Sequence, residues 1–187
     1  MLSVVRMLFS ALLVAALLAP GLSAQPAAKP TPPRRVTTDH LQIATYASHE
    51  AVAPGERFSL VFDIRPRDRM HVYAPGADGY RIINVALEDN ALLVVQPLQY
   101  PASEIYHFEP LNERVPVFQT PFTLTQPVAV SAAPEHRRAV AAMDTLTIAG
   151  TLDYQACDDR ICFAPKSVPV SYTIRLRQPG TARTGGA

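Results

Sequence analysis

The chain has 187 residues, with 17 Lys and Arg against 16 Asp and Glu, 18 prolines, two cysteines and no tryptophan. A formal charge of +1 supplies no bulk attraction to nucleic acid or to an anionic membrane. Two cysteines without a second Cys/His pair at ligand spacing fit zinc poorly.

Arg6 precedes an apolar run from Met7 to Ala19, broken only by Ser10 and followed by Pro20-Gly21-Leu22-Ser23-Ala24. A basic start, a short apolar core and a small residue before a cut describe a secretory signal peptide over residues 1–24. The run is too short to span a bilayer comfortably. Cleavage after Ala24 leaves a chain starting at Gln25, soluble and exported to a compartment where disulfides persist. Residues 25–35 read as a Pro-rich linker, stiff, extended and disordered. Residues 36–177 have the size of one domain, and 178–187 read as a disordered Gly/Thr-rich tail.

Within the domain the pattern is β almost throughout. Leu41–Tyr46 is a strand, and Pro54-Gly55 supplies the turn before the next. There Phe58, Leu60, Phe62 and Ile64 alternate with Ser59, Val61 and Asp63. Arg65, Arg67 and Arg69, interleaved with Asp68, form a solvated turn. Further strands are expected at Met70–Tyr73, Ile82–Leu87, Leu92–Gln99, Val115–Phe118 and Phe122–Val130. Prolines at 97, 101, 110, 116, 121 and 127 leave no room for long helices there, and only 135–143 has room for a helical turn or two. Thr145–Tyr154 and the alternating 168–177 complete an all-β, immunoglobulin-like antiparallel β-sandwich. The five histidines (His40, His49, His71, His107, His136) are dispersed, so no metal and no cofactor is expected.

Both cysteines lie between the last two strands, in Tyr154-Gln155-Ala156-Cys157-Asp158-Asp159-Arg160-Ile161-Cys162-Phe163-Ala164-Pro165. Antiparallel strands joined across a four-residue loop can place Cys157 opposite Cys162, within reach of a disulfide. So small a ring stabilises by about 2 kcal/mol at best, a modest return for a domain able to build a full core. Two readings stand side by side: a redox-active pair and an inert hairpin staple.

These residues resemble the N-terminal periplasmic domain of DsbD-type thiol:disulfide interchange proteins. The resemblance rests on Tyr154-Gln155-Ala156-Cys157, Cys162, the aromatic Phe163, Pro165 and the Val168-Pro169-Val170 strand. Val52-Ala53-Pro54-Gly55, His71-Val72-Tyr73-Ala74, Tyr100-Pro101 and Val115-Pro116-Val117 follow the family order, so that the likeness spans residues 38–176. It implies an immunoglobulin-like fold and dithiol–disulfide exchange by Cys157 and Cys162, with Cys162 forming mixed disulfides. It also implies thioredoxin-like periplasmic partners and a membrane-embedded electron-transfer partner. Full-length family members also carry a transmembrane electron-transfer region and a thioredoxin-like domain; neither is read in this sequence, so a stand-alone, monomeric module without a cofactor is expected. Family members may place five residues between the cysteines; here there are four.

Neighbours tune the thiols. Asp158 and Asp159 disfavour a thiolate or simply solvate the hairpin tip; Arg160 favours it, and Ile161 and Phe163 add apolar surface. The family shields its cysteines with a loop of acidic and aromatic residues. The matching stretch, Ser103 to Glu109, offers Glu104, Ile105, Tyr106 and Phe108 as a cap, or is an ordinary surface loop. Tyr73 lines the same region or is a core tyrosine. The competing function is an immunoglobulin-like periplasmic binding or chaperone module with an inert hairpin disulfide.

Overall fold

The computed structural model describes residues 28–109 and 112–178, so the signal-peptide segment 1–24 and the tail beyond Gln178 lie outside the described residues. Period-two alternation decides which face of each strand turns inward. β4 (Arg57–Pro66) buries Phe58, Leu60, Phe62 and Ile64. It lies between β2 (Leu41–Ala47) and β10 (Phe122–Val130), both antiparallel to it. β1 (Arg34–Thr37) flanks β2 and β7 (Leu93–Val95) flanks β10, completing a five-stranded sheet.

The facing layer is built on β11 (Thr145–Tyr154) and β13 (Lys166–Leu176), in continuous register from Thr145↔Arg175 to Tyr154↔Lys166. β6 (Asn84–Leu87) borders β11, and β3 (Ala51–Val52) borders β13. Val168, Val170, Tyr172, Ile174 and Leu176 point into the core, where the Tyr172 ring meets Phe62 edge-on at 6.0 Å between centroids. Gly150 on β11 lets β6 pass very close. A Cβ there would lie 2.4 Å from the Ala86 carbonyl oxygen and 2.9 Å from Leu87 Cα, both backbone atoms.

A third, smaller sheet carries the order β12 (Ala156–Cys157), β5 (His71–Tyr73), β9 (Glu113–Phe118), β8 (Glu104–Phe108). The protein is thus predominantly β, with three sheets arranged as an immunoglobulin-like sandwich. One short pairing, β3 with β13, is parallel.

Several expectations shift in detail. The 25–35 linker gives way to ordered structure well before residue 35. Thr31 N–H donates to the Ala47 carbonyl, the Lys29 carbonyl accepts from Glu50 N–H, and Arg34 opens β1. The free edge of β2 offers ladder hydrogen bonds that outweigh the local proline bias. At the other end, Gln178 donates to the carbonyls of Val140 and Met143 and so belongs to the domain. The expected strand Leu92–Gln99 narrows to Leu93–Val95, because Pro97 removes a ladder donor. The stretch offered as a surface loop or cap, Ser103 to Glu109, contains strand β8, paired to β9 from Glu104↔Val117 to Phe108↔Glu113. Between β10 and β11, a 3-10 turn (Pro134–His136) runs into α1 (Arg137–Ala141), within the segment expected to be helical.

Candidate active site: a disulfide under an aromatic cleft

The cysteines sit where β11 runs on past its own layer. β12 leaves that sheet and pairs with β5 in the third, setting Ala156 opposite Val72 and Cys157 opposite His71. The chain then turns back, and Cys157 and Cys162 face each other as an antiparallel bridge and form a disulfide, with Cα atoms 4.0 Å apart. The turn closes on itself. Asp158 N–H donates to the Ile161 carbonyl at 3.0 Å, and the Asp158 carboxylate accepts from the N–H groups of Arg160 and Ile161, each at 2.8 Å. Those backbone donors, with Arg69 and Arg160 nearby, hold the Asp158 carboxyl below its usual range. Below the tip, Phe163 N–H donates to the Ala156 carbonyl and Gln155 Nε2 to the Phe163 carbonyl.

The two cysteines are not equivalent. Cys157 is 1% exposed, whereas Cys162 is exposed. The Tyr73 hydroxyl lies 3.3 Å from Cys157 Sγ and 3.4 Å from Cys162 Sγ. Joined sulfurs carry no hydrogen, so in the disulfide the phenol is the donor. Burial, with Tyr80 and the Glu113 carboxylate beside it, pushes the Tyr73 phenol well above its ordinary value and keeps it protonated. Tyr73 and Tyr80 stack with centroids 4.0 Å apart, and Tyr80 Oη donates to Glu113 Oε2 at 2.5 Å. The Glu113 partner is also what most raises the Tyr80 phenol. A cleft of about 180 Å3 opens over the bridge, walled by His71, Tyr106, Phe108 and Val115 as well as this pair. His71 is 4% exposed and lies against Tyr106 at 4.5 Å. A larger groove of about 540 Å3, on the outer face of β1, β2, β4 and β10, holds neither cysteine.

A family model described as "Thiol:disulfide interchange protein DsbD, N-terminal" matches residues 40–173. The chain belongs to this family. Two solved structures align with the chain. The N-terminal periplasmic domain of ScsB from Proteus mirabilis aligns with TM-score 0.52 at 12% identity, over 79% of this chain and 52% of that one. This chain therefore spans about half the length of that ScsB structure. The Neisseria meningitidis DsbD N-terminal domain in the reduced form aligns with TM-score 0.42 at 14% identity, over 63% of this chain and 82% of that one. No curated protein matches the chain.

In this DsbD-type domain, Tyr73, Tyr106, Phe108, Asp158 and Cys157 meet around the cleft mouth where Cys162 lies. Tyr73 fills both roles offered for it, packing with Val115, Val117 and Cys157 in a small core while lining the cleft. Four expected neighbours are elsewhere. Ile105 is 58% exposed on β8 and lines no part of the cleft. Glu104 accepts from Gln119 Nε2 and Thr120 Oγ1, each at 2.7 Å, at the far end of β8. Phe163 packs on His40 at 4.5 Å, away from the cleft. Asp159 is exposed at the tip and lines no part of the cleft. Among the described residues no group of three or more His, Cys, Asp or Glu is placed to hold a metal ion.

Tyr80, Glu113 and His71 were missed as members of this site. For Glu113 a signal existed: it shares a strand face with the buried Val115 and Val117, an unusual place for an acid.

Two buried imidazoles give the DsbD-type domain a pH dependence. Burial lowers the pKa of His40, helped by Lys166, and of His71, where Asp158 opposes it. His40 Nδ1 is buried without a hydrogen-bond partner. A base with a depressed folded pKa takes up its proton more readily when unfolded. Stability is therefore fully present above the unfolded value of about 6.5 and declines as pH falls below it, levelling off under the folded pKa. Urea unfolding between pH 7.5 and 5 should show this decline, and a His40→Phe, His71→Phe double variant should flatten it. A wild-type profile already flat over that window would contradict the burial of both rings. Asp39 and Asp158, whose carboxyls are lowered, lose their contribution only further down, through their own folded pKa values.

Proposed function

We propose that the protein is a thiol–disulfide exchange module that passes reducing equivalents between thioredoxin-like partners through Cys157 and Cys162, an oxidoreductase component acting with partners. The domain lies in the periplasm, as the ScsB domain of similar fold does. The observation that carries the reading is the asymmetry of the bridge: Cys157 is buried under Tyr73 while Cys162 is exposed at the mouth of the cleft. A staple gains nothing from presenting one sulfur, whereas exchange requires one sulfur to be reachable.

A thiolate of a thioredoxin-like dithiol attacks Cys162 Sγ. The Cys157–Cys162 bond breaks, its electron pair leaves on Cys157 Sγ, and that sulfur takes up a proton. A mixed disulfide now joins the partner to Cys162. The partner's second thiolate attacks the partner sulfur of that bond and releases Cys162, which is protonated in turn. Two electrons and two protons have passed to this domain, and the reverse sequence hands them to a second partner. A membrane-embedded electron-transfer protein stands upstream in this scheme.

Equilibration with a thioredoxin or glutathione buffer tests the proposal. The pair should titrate at a reduction potential above about −300 mV, the level below which structural disulfides commonly lie. The Cys157→Ser, Cys162→Ser double variant should stay folded and lose no more than about 2–3 kcal/mol, since the ring is small. A lower potential, or a double variant that cannot fold, would make the bridge a staple and favour the binding-module reading.

A further inference from the structure

The site holds a chain of hydroxyls that the exchange scheme leaves unused. Cys157 Sγ lies 3.3 Å from Tyr73 Oη. Tyr73 and Tyr80 are stacked with ring centroids 4.0 Å apart, and each hydroxyl acts on the acidity of the other. Tyr80 Oη donates to the Glu113 carboxylate. Each hydroxyl has one hydrogen, so the carboxylate at the end sets the direction of the whole series. A carboxylate only accepts and takes the Tyr80 hydrogen. The Tyr80 oxygen is then left to accept from Tyr73, and the Tyr73 oxygen to accept from sulfur.

In the disulfide no sulfur has a hydrogen to give, and the Tyr73 hydrogen is shared between weak acceptors. In the dithiol the series would be complete: Cys157 S–H to Tyr73, Tyr73 O–H to Tyr80, Tyr80 O–H to Glu113. A thiolate in place of the thiol would face an oxygen lone pair and, behind it, a negative charge. We propose, resting on the exchange function above, that Glu113 is a positioning residue which acts through Tyr80 and Tyr73 to hold the reduced pair as protonated thiols. The domain then keeps its electrons until a docked partner changes the surroundings, because only the thiolate reacts.

Other groups also bear on these sulfurs. His71 on β5 and Tyr106 on β8 wall the cleft, and Asp158 and Arg160 belong to the hairpin tip. Arg69 acts on Asp158 from the turn before β5. Asp158 spends its carboxylate on turn N–H groups and Arg160 carries the opposite sign, so the acid aimed at the sulfurs through hydrogen bonds is Glu113. The raised phenol pKa of Tyr73, to which burial, Tyr80 and Glu113 all contribute, agrees with this arrangement.

The test is the pH dependence of thiol alkylation in the reduced full chain, followed residue by residue by mass spectrometry. Glu113→Gln replaces an obligate acceptor by an amide that can donate as well as accept, and Tyr80→Phe removes the link; each lets the Tyr73 hydrogen turn to a thiolate. Both should shift the titration midpoint down by roughly one unit, which is about a tenfold faster alkylation at neutral pH. Glu113→Asp should restore much of the wild-type midpoint. Glu104→Gln, which removes a carboxylate on β8 outside the cleft, should leave it unchanged. An unshifted midpoint in Tyr80→Phe would overturn the proposal, even if Glu113→Gln shifts, because charge alone would then be acting without the hydroxyls. The measurement needs no protein partner, so it can fail while exchange stands, and exchange can fail while it holds.

Discussion

Cys157→Ala should capture a thioredoxin-like partner as a lasting covalent complex, and Cys162→Ala should trap much less. The partner carries one cysteine, activated as a mixed disulfide with thionitrobenzoate. The remaining thiolate of the variant attacks the partner sulfur and expels thionitrobenzoate, whose absorbance reports the rate. In Cys157→Ala the attacking sulfur is Cys162, exposed at the mouth of the cleft, and no internal thiol remains to resolve the product. In Cys162→Ala the attacker is Cys157, 1% exposed and held under the Tyr73 hydroxyl. A partner sulfur must displace part of the aromatic wall to reach it. A barrier difference of only about 1.4 kcal/mol makes the rates differ tenfold, and the expected difference is at least that. Equal trapping would remove the division of roles while leaving the pair active. Trapping by neither variant would sink the exchange function.

Phe62→Ala should be among the most damaging single truncations in the domain, at about 3–5 kcal/mol. Phe62 is 0% exposed, on the central strand of the five-stranded sheet, with Thr45 of β2 and Leu124 of β10 as ladder neighbours. Its ring meets Tyr172 of the opposite layer. Strands fixed on both sides by hydrogen bonds cannot collapse into the space a lost ring leaves, so the cavity term stays large. Urea unfolding should show a lower midpoint with an unchanged slope. Val94→Ala, on an edge strand and 45% exposed, should sit within about 0.5 kcal/mol of wild type. A cost below about 1 kcal/mol for Phe62→Ala would mean that the two layers are not packed through this ring.

Much of the sandwich was legible along the chain. Alternation in Arg57–Pro66, Phe122–Val130, Thr145–Tyr154 and Lys166–Leu176 names the four long strands, because a sheet with one buried face imposes its period on the residues themselves. β8 was less legible. Its pattern runs half-buried, exposed, half-buried, since one face meets a cleft rather than a core. The onset of β1 was hidden by prolines, whose local preference yielded to the open edge of β2.

By itself the sequence determined the strand-rich class, the two cysteines facing each other across a short turn, and the family motif around them. All of these depend on neighbours within a few residues: side-chain period, turn chemistry and ring size. Only the tertiary structure decided which sulfur is covered and by what. Tyr73 reaches Cys157 across 84 positions of chain, and Tyr80 reaches Glu113 across 33. Those meetings follow from β5 taking β12 on one side and β9 on the other, and β9 in turn taking β8. Such pairings are chosen by the burial of whole sheets, and no local pattern in the residues that meet encodes them.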